Sequence, residues 1–268
     1  MNEFERNGFI TDNPCNINQL IDQKYNRTKQ LSLEINKYAQ SYQYEQHPNN
    51  LNKVELIATG LYARTLSTFQ GIINLAYDGM THQSQMLLRC MLESVFQLRA
   101  IANDPKFIEL LQMQDLNHTR KAFERLVKMQ NRKGQHDELY EKARKYRNQS
   151  KKKLRDLRKQ VDTSELSVIT TARKAGMEDY YDTLYVMGSL AIHSGLRSIE
   201  EHLVTDTGNL VQELINEPSH AEYTDTVLSA CELLINAIFA LDKVYERNDN
   251  KQATELSERL NATVASRT

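Results

Sequence analysis

Helix breakers are rare in this chain, and most of them stand where a helix would have to end. Glycine and proline supply only 9 and 4 of the 268 residues, too few to divide a sheet into strands, while Leu, Gln, Lys, Glu and Arg are abundant. Asp104-Pro105 sets an N-cap acid before a proline at a first helical position, and Pro218-Ser219 opens another helix in the same way. Gly79, Gly134, Gly176 and Gly208 fall at the expected breaks. No segment alternates apolar and polar residues over a strand's length. The spacing predicts helices over 16–43, 51–79, 82–103, 105–130, 136–160, 164–175, 178–204 and 219–247. The expectation is an all-α protein, an antiparallel helical bundle with a projecting basic helical segment.

Residues 1–50 read as an N-terminal helical extension, 51–247 as the bundle domain, and 248–268 as a flexible tail with little to pack. The stretch 227–241, VLSACELLINAIFAL, is apolar nearly all round, which places it at the centre of the bundle or at a subunit interface. Residues 132–160 read as polar all round and carry Arg144, Lys145, Arg147, Lys151, Lys152, Lys153, Arg155, Arg158 and Lys159. Core burial cannot hold such a helix over its full length, so it is expected to project, to pair with a partner helix or to be partly mobile. Both segments call for a homodimer or larger assembly.

Several function classes are excluded at this level. A net charge of -1 gives no global attraction to nucleic acid or to a membrane, so any such attraction must come from a local patch. The apolar stretch 233–241 is too short to span a bilayer. The opening MNEFERNGFITDNPC lacks the basic and apolar regions of a signal peptide, so a cytoplasmic protein without membrane contact is expected. Cys15, Cys90 and Cys231 form neither a disulfide framework nor a zinc spacing. His82, His118, His136, His202 and His220 fit no metal-binding pattern, and no phosphate loop or serine elbow is present. No metal or cofactor is expected.

Chemistry is concentrated on two helices. In YVMGSLAIHSG, Tyr185, Ser189 and His193 recur every four residues inside an otherwise apolar helix. In QMLLRCMLESVFQL, Arg89 and Glu93 have the same spacing. At about 100° per residue, Ser189, His193 and Arg197 run along and outward from the border of a stripe containing Tyr181, Tyr185, Gly188 and Ile192. Arg89 and Glu93 border the stripe of Leu88, Met91, Leu92, Val95 and Phe96. Border side chains can line a cleft while their helices stay docked. His193, Arg89 and Glu93 are the catalytic candidates. Arg64, Tyr185, Ser189, Arg197, Lys151, Lys152 and Arg155 are the substrate-binding candidates. A blander description fits the same residues, since an Arg and a Glu at this spacing commonly form a solvated pair worth a few tenths of a kcal/mol. A histidine beside a core stripe is commonly a hydrogen-bonded structural residue.

The pattern ARTLSTFQGIINLAYDGMTHQSQMLLRCMLESVFQLRAIANDP, followed by YVMGSLAIHSG, resembles an uncharacterised family of bacterial helical proteins over roughly residues 55–205. The likeness maps onto Arg64, Arg89, Glu93, Tyr185, Ser189 and His193. More distantly, the chain is similar to the HEPN superfamily, many of whose members are metal-independent ribonucleases in toxin–antitoxin and phage-defence systems. Those nucleases usually carry Arg-x(4–6)-His on one helix. Here the nearest arrangements are His193-x-x-x-Arg197, in reversed order, and Arg132-x-x-x-His136, one residue short. The resemblance implies an RNA endonuclease in which His193 is the general base or acid and Arg89 stabilises the phosphate. The alternative is a non-enzymatic dimeric helical module that binds nucleic acid or a protein partner through 132–160.

Overall fold

A computed structural model describes residues 3–10, 17–158, 166–186, 188, 203–205, 211–214 and 217–267. The fold is all-α. Its helices are α1 (Glu3–Asn7), α2 (Ile17–Lys24), α3 (Asn26–Tyr44), α4 (Lys53–Tyr77), α5 (Thr81–Asn103), α6 (Phe107–Arg132), α7 (Glu138–Leu157), α8 (Val168–Ala175), α9 (Glu178–Tyr180), α10 (Tyr223–Val244) and α11 (Lys251–Ala265). A π-helical turn, Tyr181–Tyr185, continues α9. One short antiparallel ladder pairs β1 (Leu203–Thr205) with β2 (Val211–Leu214). The helix expected over 178–204 therefore does not reach its predicted end. The runs LVT and VQEL, separated in the sequence by Asp206, Gly208 and Asn209, residue types that disfavour a helix interior, favour pairing over helix there.

The chain forms two compact units, residues 1–103 with 172–268, and residues 104–171. In the first, α10 is the centre and packs on α3, α4, α5 and α11. Its buried residues Leu228, Cys231, Leu233, Leu234, Ala237 and Ile238 point to more than one side of the helix, which is why its sequence is apolar nearly all round. That apolar surface is covered by the chain's own helices, so it supplies no argument for a second subunit. The antiparallel pair α4 and α5 turns at Gly79, whose φ of +77° only glycine adopts cheaply. A Cβ there would also lie 2.6 Å from the Cβ of Pro218. The Gly79 carbonyl accepts from the Ser219 N–H at 2.9 Å, fixing this turn against the approach to α10.

Two domain expectations are corrected. Within 1–50, α3 is not an extension, because Leu31, Ile35, Ala39 and Tyr42 are buried in the first unit's core. The tail is not loose over 251–265, where α11 buries Ala253, Leu256, Leu260 and Thr263 at helical spacing. Asn250 caps this helix by accepting from the Ala253 N–H at 3.0 Å. It also donates to the buried Asp242 at 2.6 Å.

The second unit is a hairpin of α6 and α7 joined at Gly134, with Asp137 capping α7. The α7 segment is not polar all round. Ala143, Ser150 and Leu154 form a narrow buried stripe, and α6 is the helix with which it pairs.

Candidate functional site

Helix α5 sits in the core through Met91, Leu92, Val95 and Phe96, all fully buried. Burial of that stripe fixes the rotation of the helix and leaves Arg89 and Glu93 at its edge, with side chains 19% and 39% exposed. Tyr185 reaches this edge from the π-helical turn, 96 residues further along the chain. It is 7% exposed.

Three side chains close into one hydrogen-bonded cluster. An Arg89 Nη donates to the Tyr185 hydroxyl at 2.5 Å. That hydroxyl donates to Glu93 Oε1 at 3.2 Å. The other Arg89 Nη lies 3.4 Å from the same carboxylate oxygen. The guanidinium carbon also stands 4.4 Å from the Tyr185 ring centroid, a cation–π contact. Tyr185 is held by a stack on Tyr181, centroids 5.0 Å apart, and by Phe96 at 6.5 Å. Burial, reinforced by the Glu93 charge, raises the Tyr185 pKa despite the opposing Arg89 charge. The phenol therefore keeps its proton at neutral pH and is a hydrogen-bond donor there, not a base.

Gly188 packs closely on Arg89, since a Cβ at this position would lie 3.3 Å from the Arg89 Cβ. A second polar group follows further along α5. Tyr180 donates to Glu232, Arg99 donates to Asn236 at 2.5 Å, and Asn236 donates to the Glu232 carbonyl at 3.0 Å. Burial and the Glu232 carboxylate push the Tyr180 pKa up to about 12. None of these four residues was among the candidates. The available signal was Glu232 and Asn236, four apart in an otherwise apolar helix, the same pattern as Arg89 and Glu93.

Of the predicted site residues, Arg89, Glu93 and Tyr185 converge. Ser189, His193 and Arg197 lie outside the described residues. Arg64 is exposed on α4 rather than turned inward. Lys151, Lys152 and Arg155 are exposed on α7, in the other unit. Among the described residues, no group of three or more His, Cys, Asp or Glu side chains is placed to hold a metal ion. No described helix is long and apolar enough to cross a membrane.

Residues 55–210, more than half of the chain, match the model of a family of unknown function, DUF5677. The chain belongs to this family. The matched region holds Arg64, Arg89, Glu93, the basic α7 helix, Tyr185 and His193, whereas α3, α10 and α11 lie outside it. The residues that converge at the cluster thus all come from the family's own segment, and the central helix that orients α5 comes from beyond it. No curated protein and no solved structure matches the chain.

Proposed function

We propose that this chain is an HEPN-like ribonuclease that cleaves RNA without a metal, with Arg89 and Tyr185 holding the scissile phosphate. The observation that carries the reading is the Arg89–Tyr185–Glu93 cluster, in which a half-buried guanidinium and a phenol that keeps its proton are oriented side by side. The guanidinium presents N–H donors to a phosphate oxygen, and the phenol joins it by turning its single O–H from Glu93 to the phosphate. His193, eight residues after Tyr185 in the sequence, supplies the base. It removes the 2′-hydroxyl proton and the 2′-oxygen bonds to phosphorus. The 5′-oxygen departs with the bonding pair and is protonated by water. The products are a 2′,3′-cyclic phosphate and a 5′-hydroxyl. A toxin or phage-defence role accords with this activity.

One observation favours a second reading. Glu93 already neutralises Arg89, so the cluster also serves as a polar lock between α5 and the Tyr181–Tyr185 turn in a non-enzymatic helical module. Incubation of purified chain with labelled RNA separates the two. Cleavage that His193→Ala lowers by about 10²–10⁴ and Arg89→Ala by about 10²–10³, with both variants folded, supports the nuclease. Equal cleavage by wild type and His193→Ala, or none by wild type, leaves the lock. Relief of growth inhibition on expression of His193→Ala is the matching cellular result.

A further inference from the structure

The charge of this protein is divided between its units. Residues 104–171 hold 17 Lys and Arg against 10 Asp and Glu, a net +7, while the remaining residues hold 17 against 25, a net -8. A chain that is nearly neutral overall therefore contains a strongly cationic helical hairpin. Within it, Arg144, Arg147, Lys151, Arg155 and Arg158 are spaced by three or four residues, which places them on one side of α7. From first to last they extend about 21 Å along the axis at 1.5 Å per residue.

This row borders the seam with α6. A cavity of about 450 Å³ is lined by Arg120, Lys151, Leu154, Arg155 and Arg158. A second, of about 380 Å³, shares Arg120, Leu154 and Arg158 and adds His118 and Lys121. Arg120 is paired with Glu124 at 2.7 Å, and Arg144 is 3.7 Å from Glu141. No hydrogen bond or ion pair within the described residues is made by the side chains of Lys151, Arg155 or Arg158. Most of the row is arginine, whose planar fork matches two phosphate oxygens at once. A membrane surface would also want exposed apolar side chains beside the charges. The large exposed ones of α7, Leu139 and Tyr146, fall outside the row.

We infer that the row Arg144–Arg158 of α7, with Arg120 of α6, binds the phosphodiester backbone of a nucleic-acid strand. This rests on the reading that RNA is the partner, but not on cleavage at Arg89. Contacts to phosphate carry no base identity, so binding is insensitive to sequence and strongly dependent on salt.

Fluorescence anisotropy of the full chain with a labelled 15-nucleotide uridine oligomer tests it, with a thymidine oligomer as the arm that separates RNA from DNA. Lys151→Glu with Arg155→Glu should weaken binding at least ten-fold. Lys145→Glu with Lys153→Glu, an equal change of charge off the row, should weaken it less than three-fold. The milder Lys151→Gln with Arg155→Gln should flatten the slope of log K against log salt by about 1.4, two contacts at about 0.7 each. Circular dichroism checks that each variant keeps its helices. Equal losses from the two charge-reversed pairs, no binding by wild type, or tighter binding to phosphatidylserine vesicles than to either oligomer would overturn the inference. Row-dependent binding without cleavage removes the nuclease and keeps the row; cleavage with row-independent binding does the reverse.

Discussion

Replacing Asp242 should destabilise the first unit more than any single surface change, and the choice of replacement should set how much. Asp242 is 4% exposed. Its carboxylate accepts from the Tyr42 hydroxyl at 2.7 Å and from the Asn250 amide at 2.6 Å. Asn250 cannot turn its amide around, because its oxygen accepts from Tyr38 at 2.5 Å and from the Ala253 N–H at 3.0 Å. Asp242→Ala leaves two donors stranded in a dry site, a loss of about 3–5 kcal/mol. For a unit of this size that lowers the melting temperature by roughly 6–20 °C. Asp242→Asn is milder. Its oxygen accepts from Asn250, and its amide donates to the Tyr42 hydroxyl, which turns from donor to acceptor. The Tyr42 proton then has no acceptor, so one donor is stranded instead of two, a cost of about 1–3 kcal/mol. Thermal melts of the two variants at neutral pH check this. Equal destabilisation by Ala and Asn, or less than about 1 kcal/mol from Ala, would refute the argument that pairing, not charge, holds α11 against α10.

Gly79→Ala should cost about 2 kcal/mol or more, since strain at positive φ is joined by the clash with Pro218. Gly134→Ala, at φ +65° with open space around its Cβ position, should cost only about 1 kcal/mol; equal melting shifts would remove the packing argument. Alkaline titration followed at 295 nm should show delayed ionisation of the folded chain. Burial raises the pKa of Tyr42, Tyr62, Tyr180 and Tyr223, Tyr180 to about 12 from 10.0. Their folded pKa values lie above the unfolded ones, so the stability they contribute is complete below pH 10 and for Tyr180 is lost as pH rises from 10 through about 12. Superimposable native and denatured titrations would contradict this. Cys231 is fully buried, and burial pushes its thiol pKa up. It should resist Ellman's reagent in the folded chain while the partly exposed Cys90 reacts, and prompt labelling of Cys231 would show that α10 is not the core.

The helical class and most helix positions are legible because breakers act locally, whereas the starts expected at Asp104-Pro105 and Pro218-Ser219 shift: α6 begins after Lys106 and α10 after Glu222, neither with a side-chain cap bond. Gly79 and Gly134 end α4 and α6 within a few residues of their positions, whatever the rest of the chain does. The fate of 248–268 depends on distant partners. Asn250, Ala253, Leu256 and Leu260 carry a cap and a stripe that are readable in the sequence. The groups that make the helix dock, Tyr38, Tyr42 and Asp242, are up to 212 positions away. The polarity of α7 misleads for a related reason: small residues, Ala143 and Ser150, supply much of its buried stripe and add little apolar signal.

At the candidate site, periodicity places Arg89 and Glu93 on the border of a buried stripe, and Tyr185 meets them there; the convergence expected with His193 lies outside the described residues. Periodicity fails for Arg64 because a wheel with an uncertain stripe cannot fix the inward direction. In α4 the buried positions Tyr62, Thr65, Leu66 and Phe69 turn Arg64 to the outside. It also passes over Glu232 and Asn236, which sit in the most apolar helix of the chain, where two isolated polar residues among leucines are easily read as core. That omission bears on function. Tyr180 and Tyr185 lie one turn apart and each donates to a glutamate, Tyr180 to Glu232 and Tyr185 to Glu93. The segment carrying Tyr185 is thus tied at two points to different helices. If these ties orient the site, Glu232→Gln should lower RNA cleavage while leaving binding to the uridine oligomer unchanged, because it loosens Tyr185 and alters no residue of the α7 row. A fall in binding equal to the fall in cleavage would show that Glu232 acts through global stability instead.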